Sequence, residues 1–268
     1  MISFGELLSQ KREEFGPLCL GIDPSEVELN NWGLPDSAVG AKDFGLRCID
    51  AADSRVGIIK PQVSFFERFG SAGYLALEEV LQAARDLDLL VIADAKRGDI
   101  GTTMLGYAQA WFGDDSPLRV NALTVSPYLG AESVFEMLDH ARDVSGGIFM
   151  LSATSNSEAS SVQAAEIRGE SVAMGVLRTA VEKGHNDFGV VIGATQSLSD
   201  FGLETIMTKD IAVPILAPGF GAQGADLEDL KALFGESAIN VIPNMSRGLT
   251  SQGPQAMANL IDRAKLLI

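Results

Sequence analysis

Apolar residues along this chain collect in eight short runs, at 18–23, 56–61, 89–96, 120–126, 147–152, 188–194, 213–219 and 239–245. Most are continuous stretches rather than strict apolar–polar alternations, the pattern of parallel strands covered on both faces. Several of the segments between them read as helical. A helix is expected over 163–183, with Gly184 as its stop. Ser3 with Glu6 is a capping-box signature that opens a helix over 4–15. Pro254 fits the first turn of a last helix, in which Met257, Leu260, Ile261, Ala264, Leu267 and Ile268 recur at helical spacing.

Strands alternating with helices, and no Pro/Gly/Ser-rich linker long enough to divide domains, predict one α/β domain over 1–268, a single (β/α)8 TIM barrel. The alternative is a doubly wound open sheet. Distinctive polar residues at the carboxyl ends of several runs favour the barrel, because barrels assemble their active sites there. The Ser-rich segment 152–162, after the fifth run, reads either as a lid over the barrel mouth or as a solvated connection.

A formal net charge of −16 changes the choice of partner. It argues against nucleic acid, which would want a basic stripe. It also requires that an anionic substrate be held by a few local cations against the overall field. The two cysteines make a disulfide framework unexpected, and Cys19, inside an apolar run, reads as a reduced, buried thiol. No apolar run approaches the ~20 residues that span a bilayer, and no secretory leader opens the chain. A cytoplasmic protein with no membrane partner is expected. The histidines, His140 and His185, read as surface residues. With no Cys/His cluster and no dinucleotide-binding fingerprint, neither a metal nor a cofactor is expected.

The candidate chemistry lies at the ends of the first three runs. Asp23 ends the first, in Leu-Gly-Ile-Asp-Pro, and Lys60 ends the second, in Gly-Ile-Ile-Lys-Pro. The third enters Asp94-Ala-Lys96-Arg-Gly-Asp99, where strand alternation puts Asp94 and Lys96 on one side. A structural ion pair capping a strand would look the same for Asp94 and Lys96 alone. Barrel closure, however, would gather all these ends around one mouth, and lysines there need acids beside them. An alternating Lys–Asp array would keep lysine pKa values up and aspartate values down. Such a lysine is a poor Schiff-base nucleophile but a good fixed cation and proton donor. Asp99 lies beyond Gly98, in the turn entering the next helix, and could complete a neighbouring subunit's site instead of its own.

The seventh and eighth runs end in Gly-Phe-Gly-Ala-Gln223-Gly and Asn-Met-Ser246-Arg247-Gly. Barrels often bind phosphate with the loops after these two strands, and the Arg247 fork suits phosphate oxygens. Ser126, at the end of the fourth run, reads either as a contact to a polar ring edge or as an ordinary helix cap.

With these residues in place, the chain resembles the orotidine 5′-phosphate decarboxylases, and most of all their longer bacterial type, over essentially its whole length. The Leu-Gly-Ile-Asp-Pro and Asp-Ala-Lys-Arg-Gly-Asp-Ile-Gly segments carry the resemblance. It implies a cofactor-independent homodimer acting on a small nucleotide. In it Lys96 would protonate carbon 6 of the pyrimidine, Asp94 would face the substrate carboxylate, and Lys60 would order the array and touch the ribose. Asp99, with Thr103 beside it, would reach the ribose from the partner subunit. Asp23 would bind a ribose hydroxyl, Ser126 the pyrimidine edge, and Gln223 both base and phosphate. Arg247 and the Ser246–Arg247 backbone would grip the phosphate. Metal-dependent sugar-phosphate decarboxylases share the Asp-x-Lys-x-x-Asp motif but carry an acid where this chain has Lys60, which would repel magnesium.

Overall fold

The computed structural model describes residues 2–184, 186–209 and 211–268. Its strands, in chain order, are β1 (Cys19–Ile22), β2 (Ile58–Pro61), β3 (Leu90–Arg97), β4 (Ala122–Val125), β5 (Gly147–Ala153), β6 (Glu166–Ile167), β7 (Glu170–Ser171), β8 (Phe188–Ile192), β9 (Ile215–Pro218) and β10 (Val241–Met245). Eight of them close a barrel in the order β1-β10-β9-β8-β5-β4-β3-β2. The pairs that define it are parallel, and Cys19 of β1 joins the ends, level with Ile58 on one side and Asn244 on the other. Each apolar run of the sequence overlaps one barrel strand, so the expected fold is the observed one.

The capping box at Ser3 has a structural consequence. Ser3 and Glu6 exchange hydrogen bonds (Ser3 N to Glu6 Oε2 2.7 Å, Glu6 N to Ser3 Oγ 3.2 Å) and start the helix Phe4–Phe15. That helix buries Phe4 and Leu8 against the inward-facing Cys19, Ile58, Leu90, Ile92, Phe149 and Ile242. Phe4 meets Phe149 edge to face, with centroids 6.1 Å apart. The amino-terminal end of the barrel is thereby plugged with apolar side chains, each contributing about 1.5–3 kcal/mol by burial. The polar residues are left to the other end.

Two local expectations need correction. The helix expected over 163–183 begins only at Val172, with Ser171 as its N-cap accepting from Met174 N. Ahead of it, β6 and β7 form a two-stranded hairpin whose turn uses Arg168 (φ 58°) and Gly169 (φ 81°) in left-handed conformations, which no helix accommodates. Gly184 does end the helix, in extended rather than left-handed geometry. The last helix, Pro254–Lys265, starts on its proline and buries Met257, Ile261 and Ala264, but it ends before Leu267 and Ile268, which the spacing places in it.

Cys19 and Cys48 are both buried and unpaired. Burial pushes the Cys19 thiol up to about 12, against the opposing pull of Lys60. His140 lies half-buried on the helix Phe135–Asp143, and His185 lies outside the described residues. Among the described residues, no helix is long and apolar enough to cross a membrane.

Candidate active site

A cavity of about 490 Å³ opens at the carboxyl end of the barrel, lined by Asp23, Lys60, Asp94, Lys96, Gln223, Ser246 and Arg247 among others. Seven residues spread over more than 220 positions of sequence thus meet at one mouth.

Its centre is Asp94. Lys60 Nζ lies 3.0 Å from Asp94 Oδ2 and Lys96 Nζ 2.5 Å from Oδ1. Thr124 donates its hydroxyl to Asp94 Oδ1 at 3.0 Å and accepts the Lys96 backbone N–H at 2.9 Å. Desolvation alone would raise the Asp94 pKa. Attraction from Lys60 and then Lys96 outweighs it and holds the carboxyl far below the usual carboxylate range. Desolvation alone would likewise lower the Lys60 pKa. Asp94, followed by Asp23, reverses the sign and holds the ammonium above its usual range. Both groups stay ionised at neutral pH. They differ from Lys96 in access, for the Lys60 side chain is 5% exposed and the Lys96 side chain 46%. Lys60 is a buried strut, and Lys96 is the cation that a ligand can touch.

The backbone produces this convergence by an irregularity. Ala93 of β3 pairs with Leu123 of β4 and Arg97 with Val125, so Asp94, Ala95 and Lys96 together span the place of Thr124 alone. Lys96 takes a left-handed conformation (φ 48°), costly for any side-chain-bearing residue and tolerated where surrounding bonds fix it. Plain strand alternation would also put Asp94 and Lys96 on one side. Here a bulge brings them together, and Thr124 ties it down.

Across the mouth, the turn after β9 runs through Gly219, Gly221 and Gly224, all with positive φ. It closes on itself through Gly221 N to Ala225 O (2.8 Å) and Gly224 N to Gly221 O (2.9 Å). Ser246 and Arg247 follow β10 beside it, and Arg247 is exposed. A Cβ on Gly21 of β1 would lie 1.9 Å from Ser246 Oγ, so only glycine lets these strand ends approach. Glycine-permitted backbone and one arginine fork make a suitable anion cradle.

Three expected site residues lie elsewhere. Asp99 and Thr103 are outside this cavity; Asp99 Oδ1 accepts its neighbour's N–H, from Ile100, at 2.9 Å, and Thr103 is exposed on the helix Gly101–Phe112. Ser126 lines a second cavity of about 740 Å³ between the β4 and β5 ends, which shares only Leu151 with the first. The hydroxyls that line the first cavity after β5 are Thr154 and Ser155. Thr154 is pinned by Gln163 (Thr154 N to Gln163 Oε1 2.8 Å) and by Gln196 (Nε2 to Thr154 O 2.7 Å), so the Ser-rich segment forms part of the cavity wall. Thr124 and Asn244 also line the cavity; each is the one polar side chain of its strand, and neither stands out in the sequence. Among the described residues, no three His, Cys, Asp or Glu side chains group as metal ligands would.

The sequence profile described as the orotidine 5′-phosphate decarboxylase / HUMPS family matches residues 16–259, which include every residue of this cavity. The chain belongs to that family. A relative from Streptomyces coelicolor named orotidine 5′-phosphate decarboxylase is 43% identical, covering 96% of this chain and 93% of its own. One of the same name from Corynebacterium glutamicum is 41% identical, covering 94% and 92%. Among solved structures of the family fold, one from Streptomyces avermitilis superposes with a TM-score of 0.93 at 43% identity, covering 100% of this chain and 95% of that one. The Leishmania donovani OMP decarboxylase superposes with a TM-score of 0.76 at 28% identity, covering 99% of each chain.

Proposed function

We propose that this chain is an orotidine 5′-phosphate decarboxylase, a carboxy-lyase that converts orotidine 5′-monophosphate to uridine 5′-monophosphate and carbon dioxide in pyrimidine nucleotide synthesis. The observation that carries the reading is the Lys60–Asp94–Lys96 array, its Lys60–Asp94 pair held ionised, bound to Thr124 and set opposite an anion cradle. When the bond from carbon 6 to the carboxylate breaks, its electron pair stays on carbon 6, with no adjacent carbonyl to take the charge. The Lys96 ammonium stabilises that pair and passes it a proton, carbon dioxide departs, and solvent reprotonates the lysine. No cofactor takes part. Opposite unit charges ~4 Å apart attract by about 4 kcal/mol at an effective dielectric near 20, and a cation fixed in advance needs no reorganisation during the reaction. Asp94 faces the departing carboxylate and Lys60 keeps Asp94 ionised. A magnesium-dependent sugar-phosphate reaction fits less well, because the Lys60 ammonium engages the carboxylate oxygen that a metal would need.

The phosphate is held by Arg247, the Ser246–Arg247 backbone and Gln223, the sugar by Asp23, and the ring edge by hydroxyls after β5. Remote phosphate binding contributes to catalysis by fixing the ring over Lys96. Purified protein should consume orotidine 5′-monophosphate in excess chelator, followed by the absorbance change; absence of turnover with a folded sample overturns the reading. Arg247→Ala should weaken binding of uridine 5′-monophosphate by roughly 10- to 100-fold and that of uridine by less than about two-fold. Equal losses toward both ligands would contradict the phosphate role.

The active form is a homodimer in which the partner subunit's Asp99 and the partner subunit's Thr103 complete each sugar site. Two observations support this: Asp99 and Thr103 lie outside their own cavity, and exposed apolar Ile100, Tyr128 and Leu129 stand at the ends of β3 and β4. Mixing Lys96→Ala chains with Asp99→Ala chains should restore activity, because each mixed dimer then holds one intact site. If Asp99 served its own site, the mixture would stay inactive. Two unpaired buried thiols fit a reducing cytoplasm.

A further inference from the structure

The cavity floor holds a polar group that none of the roles above uses. Asn244, on β10, is 5% exposed and lines the cavity, and its Oδ1 is buried with no hydrogen-bond partner among the described residues. Within the barrel wall its register neighbours are Cys19 and Pro218, and Ile242 precedes it by two on the inward face. An unpaired buried acceptor is costly, and an apolar side chain would remove that cost.

Position indicates what the oxygen meets. Ser246 and Arg247 of the anion cradle follow Asn244 by two and three residues, roughly 7–10 Å along extended chain. Asp23, on the adjoining β1, presents a second buried and unpartnered oxygen, its Oδ1, to the same cavity. The reacting ring must lie over Lys96 on β3, with β1 and β2 between it and β10. The part of the ligand above β10 and β1 is therefore the link between phosphate and ring. Phosphate and carboxylate bring only acceptors, whereas a ribose link brings two hydroxyl donors. We propose that Asn244 Oδ1 accepts a hydrogen bond from one ribose hydroxyl of the bound nucleotide, beside the hydroxyl taken by Asp23, so that this chain selects ribonucleotides at its floor. This rests on the nucleotide reading above and adds a residue to it.

The test compares binding of uridine 5′-monophosphate with its 2′-deoxy and 3′-deoxy analogues by calorimetry, together with thermal melting of the unliganded protein. Wild type should prefer the parent over each analogue by about ten-fold or more. Asn244→Leu and Asn244→Ala should cut one of those two preferences to about two-fold or less without lowering the melting temperature. Asn244→Asp, which keeps an acceptor, should retain both. A folded Leu or Ala variant with both preferences intact overturns the inference while leaving the functional reading standing. A lowered melting temperature with unchanged preferences assigns Asn244 a structural role and overturns it equally. Wild type that binds no uridine 5′-monophosphate overturns the functional reading, and this inference with it.

Discussion

Lys96→Ala is expected to lower turnover of orotidine 5′-monophosphate by roughly 10³-fold or more, while uridine 5′-monophosphate still binds within about ten-fold of wild type. The size follows from the double duty of one group. Lys96 is the exposed cation of the array, so its loss removes both the charge that stabilises the electron pair on carbon 6 and the proton that ends the reaction. Affinity survives because Asp23, Gln223, Ser246 and Arg247, which follow β1, β9 and β10, are left in place to hold phosphate and sugar. Stability should change little, since Lys96 itself is half exposed and Asp94 keeps Lys60 and Thr124. Initial rates and calorimetric titration with the product separate the two effects. Near-normal turnover in the variant would remove Lys96 from the proton-donor role.

Lys60→Met is expected to damage folding as well as activity. Lys60 is 4% exposed, and removing it leaves Asp94 ionised in a poorly solvated place with only Lys96 and Thr124 to compensate. Breaking a buried pair costs about 3–5 kcal/mol; the two remaining partners put the expected loss near the lower end. Denaturant unfolding would measure it. The pH dependence has a definite sign. The folded-state pKa of Asp94 lies below its unfolded value of about 4, so its contribution is present above that pH and is lost as the pH falls. That of Lys60 lies above its unfolded value of about 10, so its contribution is present below that pH and is lost as the pH rises through the folded value. Without Lys60 the Asp94 carboxyl titrates higher, and the acid unfolding midpoint should move to higher pH. A variant as stable as wild type, with an unmoved acid midpoint, would show that Lys60 is not the strut.

The barrel was legible because strands covered on both faces read as apolar runs, and all eight strands fall on such runs. The plug at its amino-terminal end was legible from two residues, Ser3 and Glu6, whose cap has a fixed spacing. The β6–β7 hairpin was not: two-residue strands carry no period, and the turn at Arg168–Gly169 lies inside a stretch of otherwise helical composition. At the site, charged strand ends stood out against apolar runs, so Asp23, Lys60, Asp94 and Lys96 could be named together. Thr124 and Asn244 could not, since one polar residue inside a strand gives no sign of facing a cavity. Ser126 drew attention by ending its run, but its backbone N–H bonds to Arg97 O (2.7 Å) just where β3 leaves its bulge, and its side chain lines the adjacent cavity. The bulge depends on the left-handed Lys96, held from the next strand by Thr124, and single-strand periodicity contains no such term.

The most direct measurement is turnover of orotidine 5′-monophosphate in D2O with excess chelator, wild type beside Lys96→Ala, with the product read by mass spectrometry and proton NMR. The lysine protons exchange with solvent, so wild type should yield uridine 5′-monophosphate carrying one deuterium at carbon 6, and the variant should yield almost none in the same time. Unconsumed substrate with folded wild type, or deuterated product from Lys96→Ala at the wild-type rate, would contradict an array that decarboxylates through Lys96.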